Sequence, residues 1–204
     1  MKTSKAILYI TTIGCLFSCG QQESKPEQTD DKSEPIANIP SLKENIISEK
    51  SVDKAYVDMY VADLKKAYSG YQFLDTPAYY FGIDGEEKDL VIAKNNKPLM
   101  FVWTSQEQRV NGLFAISNEY HTDNGLRPGM TIKEIREKYP DCKMAQENMS
   151  GNMEYIFIPD KKVTLCFMSD QKTIGIYHDA EAVTPTTNEF KSDTFSVDFI
   201  EISK

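Results

Sequence analysis

Histidine is nearly absent from this 204-residue chain: His121 and His178 are the only two. That scarcity removes most of the usual routes to acid–base catalysis near neutral pH and to a histidine-ligated metal. Cysteine is also sparse. The four thiols, Cys15, Cys19, Cys142 and Cys166, include no pair at ligand spacing with a histidine, so no metal site and no cofactor is expected. Ser105, Ser117 and Ser169 all lack the Gly-x-Ser-x-Gly setting of an exposed nucleophile. The chain has no apolar run of the roughly 20 residues that a membrane-spanning helix needs. Positive charge is in deficit too, with 23 basic against 31 acidic residues and a net charge of −8. Such a surface repels phosphate backbones, which excludes nucleic acid as a natural partner.

What is present begins with an address. Lys2 and Lys5 precede a mostly apolar stretch at residues 6–17, which ends in Leu16-Phe17-Ser18-Cys19-Gly20. The length fits the apolar region of a secretory signal, and the ending resembles the bacterial lipobox. Cys19 is therefore the expected acylation site, with residues 1–18 removed. Cys15 is followed by further apolar residues, whereas Cys19 is followed by a polar tail. Two or three acyl chains hold a protein on a membrane stably, so the expected location is the outer membrane, lipid-anchored and facing the periplasm or the cell surface. Two of the 23 basic residues and none of the acidic ones precede Cys19, leaving 21 basic against 31 acidic and a mature charge of −10. Residues 19–40, rich in Gln, Glu, Ser, Pro and Asp, read as a tether. Residues 41–204 are long enough for one domain with a core of its own.

Two segments of that domain read alike. Val57, Tyr60, Val61, Leu64 and Tyr68 form the apolar stripe of a helix, and Ile132, Ile135 and Tyr139 repeat part of it. Met59 and Met130 sit in equivalent places, at an offset of 71 positions. Thr131 and Glu134 make a capping box, and Pro140 stops the second helix. Strand-like runs follow each helix: residues 78–83, 90–94, 99–104 and 112–117, then 153–159, 163–168, 173–178 and 195–202. Asn95-Asn96 suits a tight hairpin turn, and the segments at 160–162 and 170–172 are similarly polar. The pattern predicts an α+β domain, an antiparallel sheet with two amphipathic helices packed on it. A helix-plus-hairpins unit duplicated over 45–120 and 121–204 competes with a chance sharing of helical period.

The run Gly129-Met130-Thr131 with Glu134 and Ile135 resembles the helix entry of small envelope lipoproteins related to the outer-membrane assembly component SmpA/OmlA. It also resembles the entry of the β-lactamase inhibitor protein, whose helix-plus-sheet unit is duplicated. A longer resemblance spans roughly residues 45–202. It is carried by Leu64-Lys-Lys-Ala-Tyr68-x-Gly-Tyr71, Pro98-Leu99, residues 113–116, 129–139, 162–166 and 197–202, and is to the enterobacterial sigma-E-regulated lipoproteins. The resemblance implies a fold and an envelope location and carries over no catalytic residue.

Candidate sites remain few. Cys142 and Cys166 form an even pair in an oxidising compartment, which favours a disulfide whose loop of about 25 residues would add roughly 3 kcal/mol; a buried, unpaired Cys166 is the rival reading. His178-Asp179 invites the idea of a base and its orienter, but neighbours on a strand face opposite ways. Asp84-Gly85-Glu86-Glu87 reads as an acidic turn. Tyr79, Tyr80, Phe81 and Trp103 place large rings on runs expected to be neighbouring strands, available either for core packing or for recognition. The leading expectation is a non-enzymatic module that binds another envelope protein. A binder of a small molecule, glycan or lipid between helix and sheet comes second, and a hydrolase around His178 third.

Overall fold

A computed structural model describes residues 43–84, 88–146, 153–168, 173–178 and 182–204. The lipidation site Cys19, the tether, Asp179, Ser169, the turn at 170–172 and Gly85-Glu86-Glu87 lie outside the described residues. In chain order the elements are β1 (Ile46–Ile47), β2 (Ser51–Val52), β3 (Ala55–Tyr56), α1 (Val61–Ala67), β4 (Gln72–Pro77), a 3-10 turn (Ala78–Phe81), β5 (Lys88–Lys94), β6 (Lys97–Thr104), β7 (Val110–Ala115) and β8 (His121–Thr122). There follow α2 (Ile132–Lys138), β9 (Met144–Gln146), β10 (Met153–Ile158), β11 (Val163–Met168), β12 (Thr186–Thr187) and β13 (Phe199–Ser203). No helix among the described residues is long and apolar enough to cross a membrane.

The class is α+β with the sheet dominant. Nine strands form one sheet in the order β12-β9-β10-β11-β13-β7-β6-β5-β4, and four short strands form a second in the order β3-β2-β1-β8. Every pairing in the larger sheet is antiparallel. The hairpin between β5 and β6 turns on Asn95 and Asn96, whose φ angles are 53° and 62°. Asparagine tolerates that left-handed pair, which matches the twist of the flanking strands.

Alternation along the strands splits the apolar residues between two clusters. Ile92, Met100, Leu113, Leu165 and Ile200 join Leu64, Ile132 and Ile135 of the helices in the larger core. Their chain neighbours Val91, Phe101, Phe114, Cys166 and Phe199 form a second cluster on the other face. The two helices are short, seven residues each, and most of the helical stripe is buried: Val61, Leu64, Ile132 and Ile135. Tyr60 departs from the expected stripe. It sits at the N-cap of α1 and is exposed, with the Arg109 guanidinium carbon 3.9 Å from its ring centre.

The entries to the two helices are bonded alike. Asp58 N–H donates to Val110 and the Val110 N–H to Met59, at 2.8 and 2.9 Å; Gly129 and Val197, then Val197 and Met130, repeat this at 2.7 and 2.8 Å. Val61 N–H donates to Gln108, and Ile132 N–H to Phe195, each at 2.9 Å. Asp58 and Gly129 share a left-handed φ, 74° and 82°. Asp53 accepts from the Tyr68 hydroxyl, and the Asn124 amide donates to that of Tyr139. Asp53 and Asn124, Met59 and Met130, and Tyr68 and Tyr139 are each 71 positions apart.

Three expectations need correction. Residues 78–83 are not a strand, because Pro77 supplies no N–H and Gly82 closes a 3-10 turn at φ 74°. Residues 173–178 form no ladder, only a single bridge between Gly175 and Phe190. Cys142 and Cys166 are not joined in a disulfide. The physical reason is the sheet: Cys142 packs against the helix-side core, whereas Cys166 lies in the cluster on the opposite face. Burial raises the pKa of the Cys142 thiol, and Cys166 is fully buried. Thiol titration is therefore expected to find both groups, slowly reacting in the native protein and fast after denaturation. A joined pair in non-reduced peptide maps would contradict this arrangement.

Candidate functional site

The sheet face away from the helices holds a cavity of about 700 Å³, lined by side chains that the pleat presents in register. Phe114 of β7 faces Glu201 of β13, which in turn faces Thr164 of β11. These three side chains make the floor. Tyr155 of β10, opposite Cys166, and Met153 extend the floor toward the second half of the sheet. Phe81, at the end of the 3-10 turn, and Ile83 and Asp84 just after it also line the cavity, as do Val183 and Thr184.

Trp103 forms one wall, and its neighbours explain how. It pairs across the sheet with Gly112, and the ladder slips by one residue just beyond, between Trp103 and Thr104. A side chain on Gly112 would come within 3.3 Å of the indole and 3.2 Å of the Phe114 ring. Glycine there leaves room for the indole to lie over its partner strand. Bulges of this kind commonly re-aim a side chain beside a site.

Two of the lining rings, Phe81 and Phe114, belong to a packed aromatic cluster. Phe81 stacks on Phe101 with ring centres 4.0 Å apart and planes 8° apart. Phe101 meets Phe114 edge-on at 5.3 Å, and Phe114 meets Phe199 at 5.6 Å. Such pairs fix ring orientation beyond what area burial alone gives. Glu201 is half-buried on the floor, with the Cys166 sulfur 4.0 Å from its carboxylate.

The structure divides the aromatic residues singled out from sequence. Phe81 and Trp103 reach the cavity. Tyr79 and Tyr80 instead point to solvent, 55 % and 53 % exposed, their rings 4.4 Å apart. A hydrogen bond to Tyr80 raises the pKa of Tyr79. The 3-10 turn is the reason: it sends its fourth residue, Phe81, inward and its second and third, Tyr79 and Tyr80, out. Phe114, Tyr155, Thr164 and Glu201 were not foreseen. The signal for Glu201 was its place between Ile200 and Ile202, which belong to the opposite core.

The other chemical candidates do not gather. His178 is 73 % exposed at its side chain, 3.3 Å from the Glu189 carboxylate, and is not among the cavity-lining residues. Ser105 and Ser117 accept backbone N–H bonds within turns. No group of three metal-ligating side chains occurs among the described residues. Between helix and sheet, where the second functional reading puts a ligand, Leu64, Ile132 and Ile135 pack with sheet residues in the larger core.

No protein-family model and no curated protein matches the chain. Among solved structures it is similar to the crystal structure of the uncharacterized protein yfeY from Escherichia coli. The likeness has a TM-score of 0.50 at 9% identity and covers 78% of this chain and 99% of that one. At that identity the likeness concerns the fold, a mostly antiparallel sheet with a few helices.

Proposed function

We propose that this chain is a lipid-anchored, non-enzymatic binding module of the bacterial envelope, and that its ligand site is the aromatic cavity on the sheet face opposite the helices. The observation that carries the reading is the cavity itself. Its volume of about 700 Å³ falls in the range of small-molecule sites, roughly 300–1,000 Å³, and it joins aromatic walls to a few polar groups. Anchoring through Cys19 rests on the lipobox-like sequence and on the resemblance to envelope lipoproteins. The domain is read as two helix-plus-strands units packed helix-on-sheet and related by duplication. Support comes from the matched bonds of Met59 with Val110 and Met130 with Val197.

Docking of a protein partner is the second reading, favoured by the exposed edge of the larger sheet. Leu74 on edge strand β4 is 45 % exposed and stands near the Tyr79–Tyr80 pair in sequence. Thr164→Phe, which fills the cavity floor, is expected to abolish complementation of a deletion strain while leaving Tm unchanged. Loss of complementation by Tyr79→Ser with Tyr80→Ser, and none by Thr164→Phe, would transfer the function to the edge. Anchoring has its own check. Cys19→Ser removes the thiolate that forms the thioether, so labelled palmitate is expected in the wild type and absent from the variant.

A further inference from the structure

We infer that the lysine-rich end of the domain, around Tyr71 and Phe73, is a contact surface for anionic lipid and seats the domain on the membrane that holds its proposed Cys19 anchor. Five lysines gather there from four parts of the chain. Lys94 of β5 and Lys97 of β6 are partners across the hairpin, and its turn is tied to β4 by two bonds between Gln72 and Asn96, at 3.0 and 3.1 Å. The Lys94 ammonium lies 5.4 Å from the Tyr71 ring centre. That of Lys65, beside Lys66 on α1, lies 6.0 Å from the Phe73 ring centre. Tyr71 meets Tyr68 edge-on at 5.3 Å, and the Tyr68 hydroxyl accepts from the Lys54 N–H.

Charge sets this end apart from an otherwise acidic chain. Lys65, Lys66, Lys94 and Lys97 are exposed, and among the described residues none of the five lysines is ion-paired. Elsewhere lysines are answered by acids: Lys161 by Asp123, Lys162 by Glu49 and Lys204 by Asp58. On α1, β4, β5 and β6 the exposed carboxylates are Asp63 and Asp75. Asp89 is buried and accepts from Thr104, and Asp53, beside Lys54, is buried and accepts from the Tyr68 hydroxyl. The location fits as well. Asn45, near the start of the described domain, donates its N–H to Asp53 at 3.3 Å, so the segment leading back to Cys19 joins the domain at this same end. An acyl anchor and a cluster of lysines are two signals that together hold a protein stably on a membrane. An acidic protein could meet the same lysines, but the point of chain entry favours lipid.

Full-length Cys19→Ser protein, which carries no acyl chain, would be sedimented with vesicles of phosphatidylcholine alone and of phosphatidylcholine mixed with phosphatidylglycerol. Tighter binding to the mixed vesicles is expected, and high salt is expected to abolish the difference. A lysine near an anionic surface contributes a factor of about five, so Lys94→Gln with Lys97→Gln is expected to weaken binding about 25-fold. Lys65→Gln with Lys66→Gln gives the same reading from another element should the hairpin variant fail to fold. Lys133→Gln with Lys143→Gln, an equal loss of exposed charge on and after α2, is expected to leave binding unchanged. Equal weakening by that control pair, or none by either pair in the patch, would overturn the inference. Equal binding to the two vesicles, or none to either, would overturn it too and leave the patch to an acidic protein. Labelled palmitate tests the anchor separately, so either reading can fail without the other.

Discussion

Ile135→Asp is expected to cost more than about 4 kcal/mol, enough to unfold most of the domain, because it places an unpaired charge in a closed core. Ile135 has no solvent exposure and packs in one cluster with Leu64, Leu113 and Ile200. Thr131→Ala, four residues earlier, is expected to cost only about 1 kcal/mol. The Thr131 hydroxyl oxygen accepts from Glu134 N–H at 3.3 Å, while Glu134 accepts from Thr131 N–H at 2.7 Å. That backbone bond, foremost, lowers the Glu134 pKa. A carboxyl depressed on folding contributes stability above its unfolded pKa and loses it as pH falls through the folded one. The cost of Glu134→Gln is therefore expected at neutral pH and should vanish in strong acid. Denaturant melts measure all three variants. A harmless Ile135→Asp would mean that this face of α2 does not meet the sheet.

Glu154→Ala is the second substitution with a large expected effect, about 3–5 kcal/mol. Glu154 is 1 % exposed, and its carboxylate accepts from the backbone N–H groups of Ile174 and Gly175 and from the Tyr177 hydroxyl. Alanine would orphan all three donors, at roughly 1–3 kcal/mol apiece before any water enters. Burial and this bond also raise the Tyr177 pKa, keeping the phenol a donor across the working range. Glu154→Gln keeps one acceptor oxygen and turns an amide toward an N–H, so an intermediate loss is expected. Hydrogen exchange at Ile174 and Gly175 gives the local readout. Protection unchanged in Glu154→Ala would show that the segment is held by something else.

Glu154 also explains where the sequence misleads. Residues 173–178 alternate like a strand, yet the Ile174 and Gly175 N–H groups are taken by a buried side chain and the Ile176 N–H by the Glu189 carbonyl, so no ladder forms. Strand β4 fails in the opposite sense. Asp75 and Pro77 have little strand character, but Pro77 ends an edge strand, where a missing N–H is tolerated. The second helix is legible because its signals are local: a capping box, an apolar stripe and Pro140. Asn95-Asn96 is legible for the same reason. The cavity is not, because its floor joins β7, β13 and β11, residues about 40 to 90 positions apart that only the completed sheet aligns. The thiols belong with it. Cys142 and Cys166 count as a pair, but which sheet face each one occupies is a tertiary fact.

Chemical-shift mapping of isotope-labelled protein during titration with a set of small polar and aromatic compounds tests the central claim most directly, since it locates the occupied site without presuming it. Shifts concentrated at the Trp103 indole and at Gly112, Phe114, Tyr155, Thr164 and Glu201 are the result this account predicts. Shifts concentrated on α2 or at Tyr79 and Tyr80, with the Trp103 indole unmoved, would contradict it.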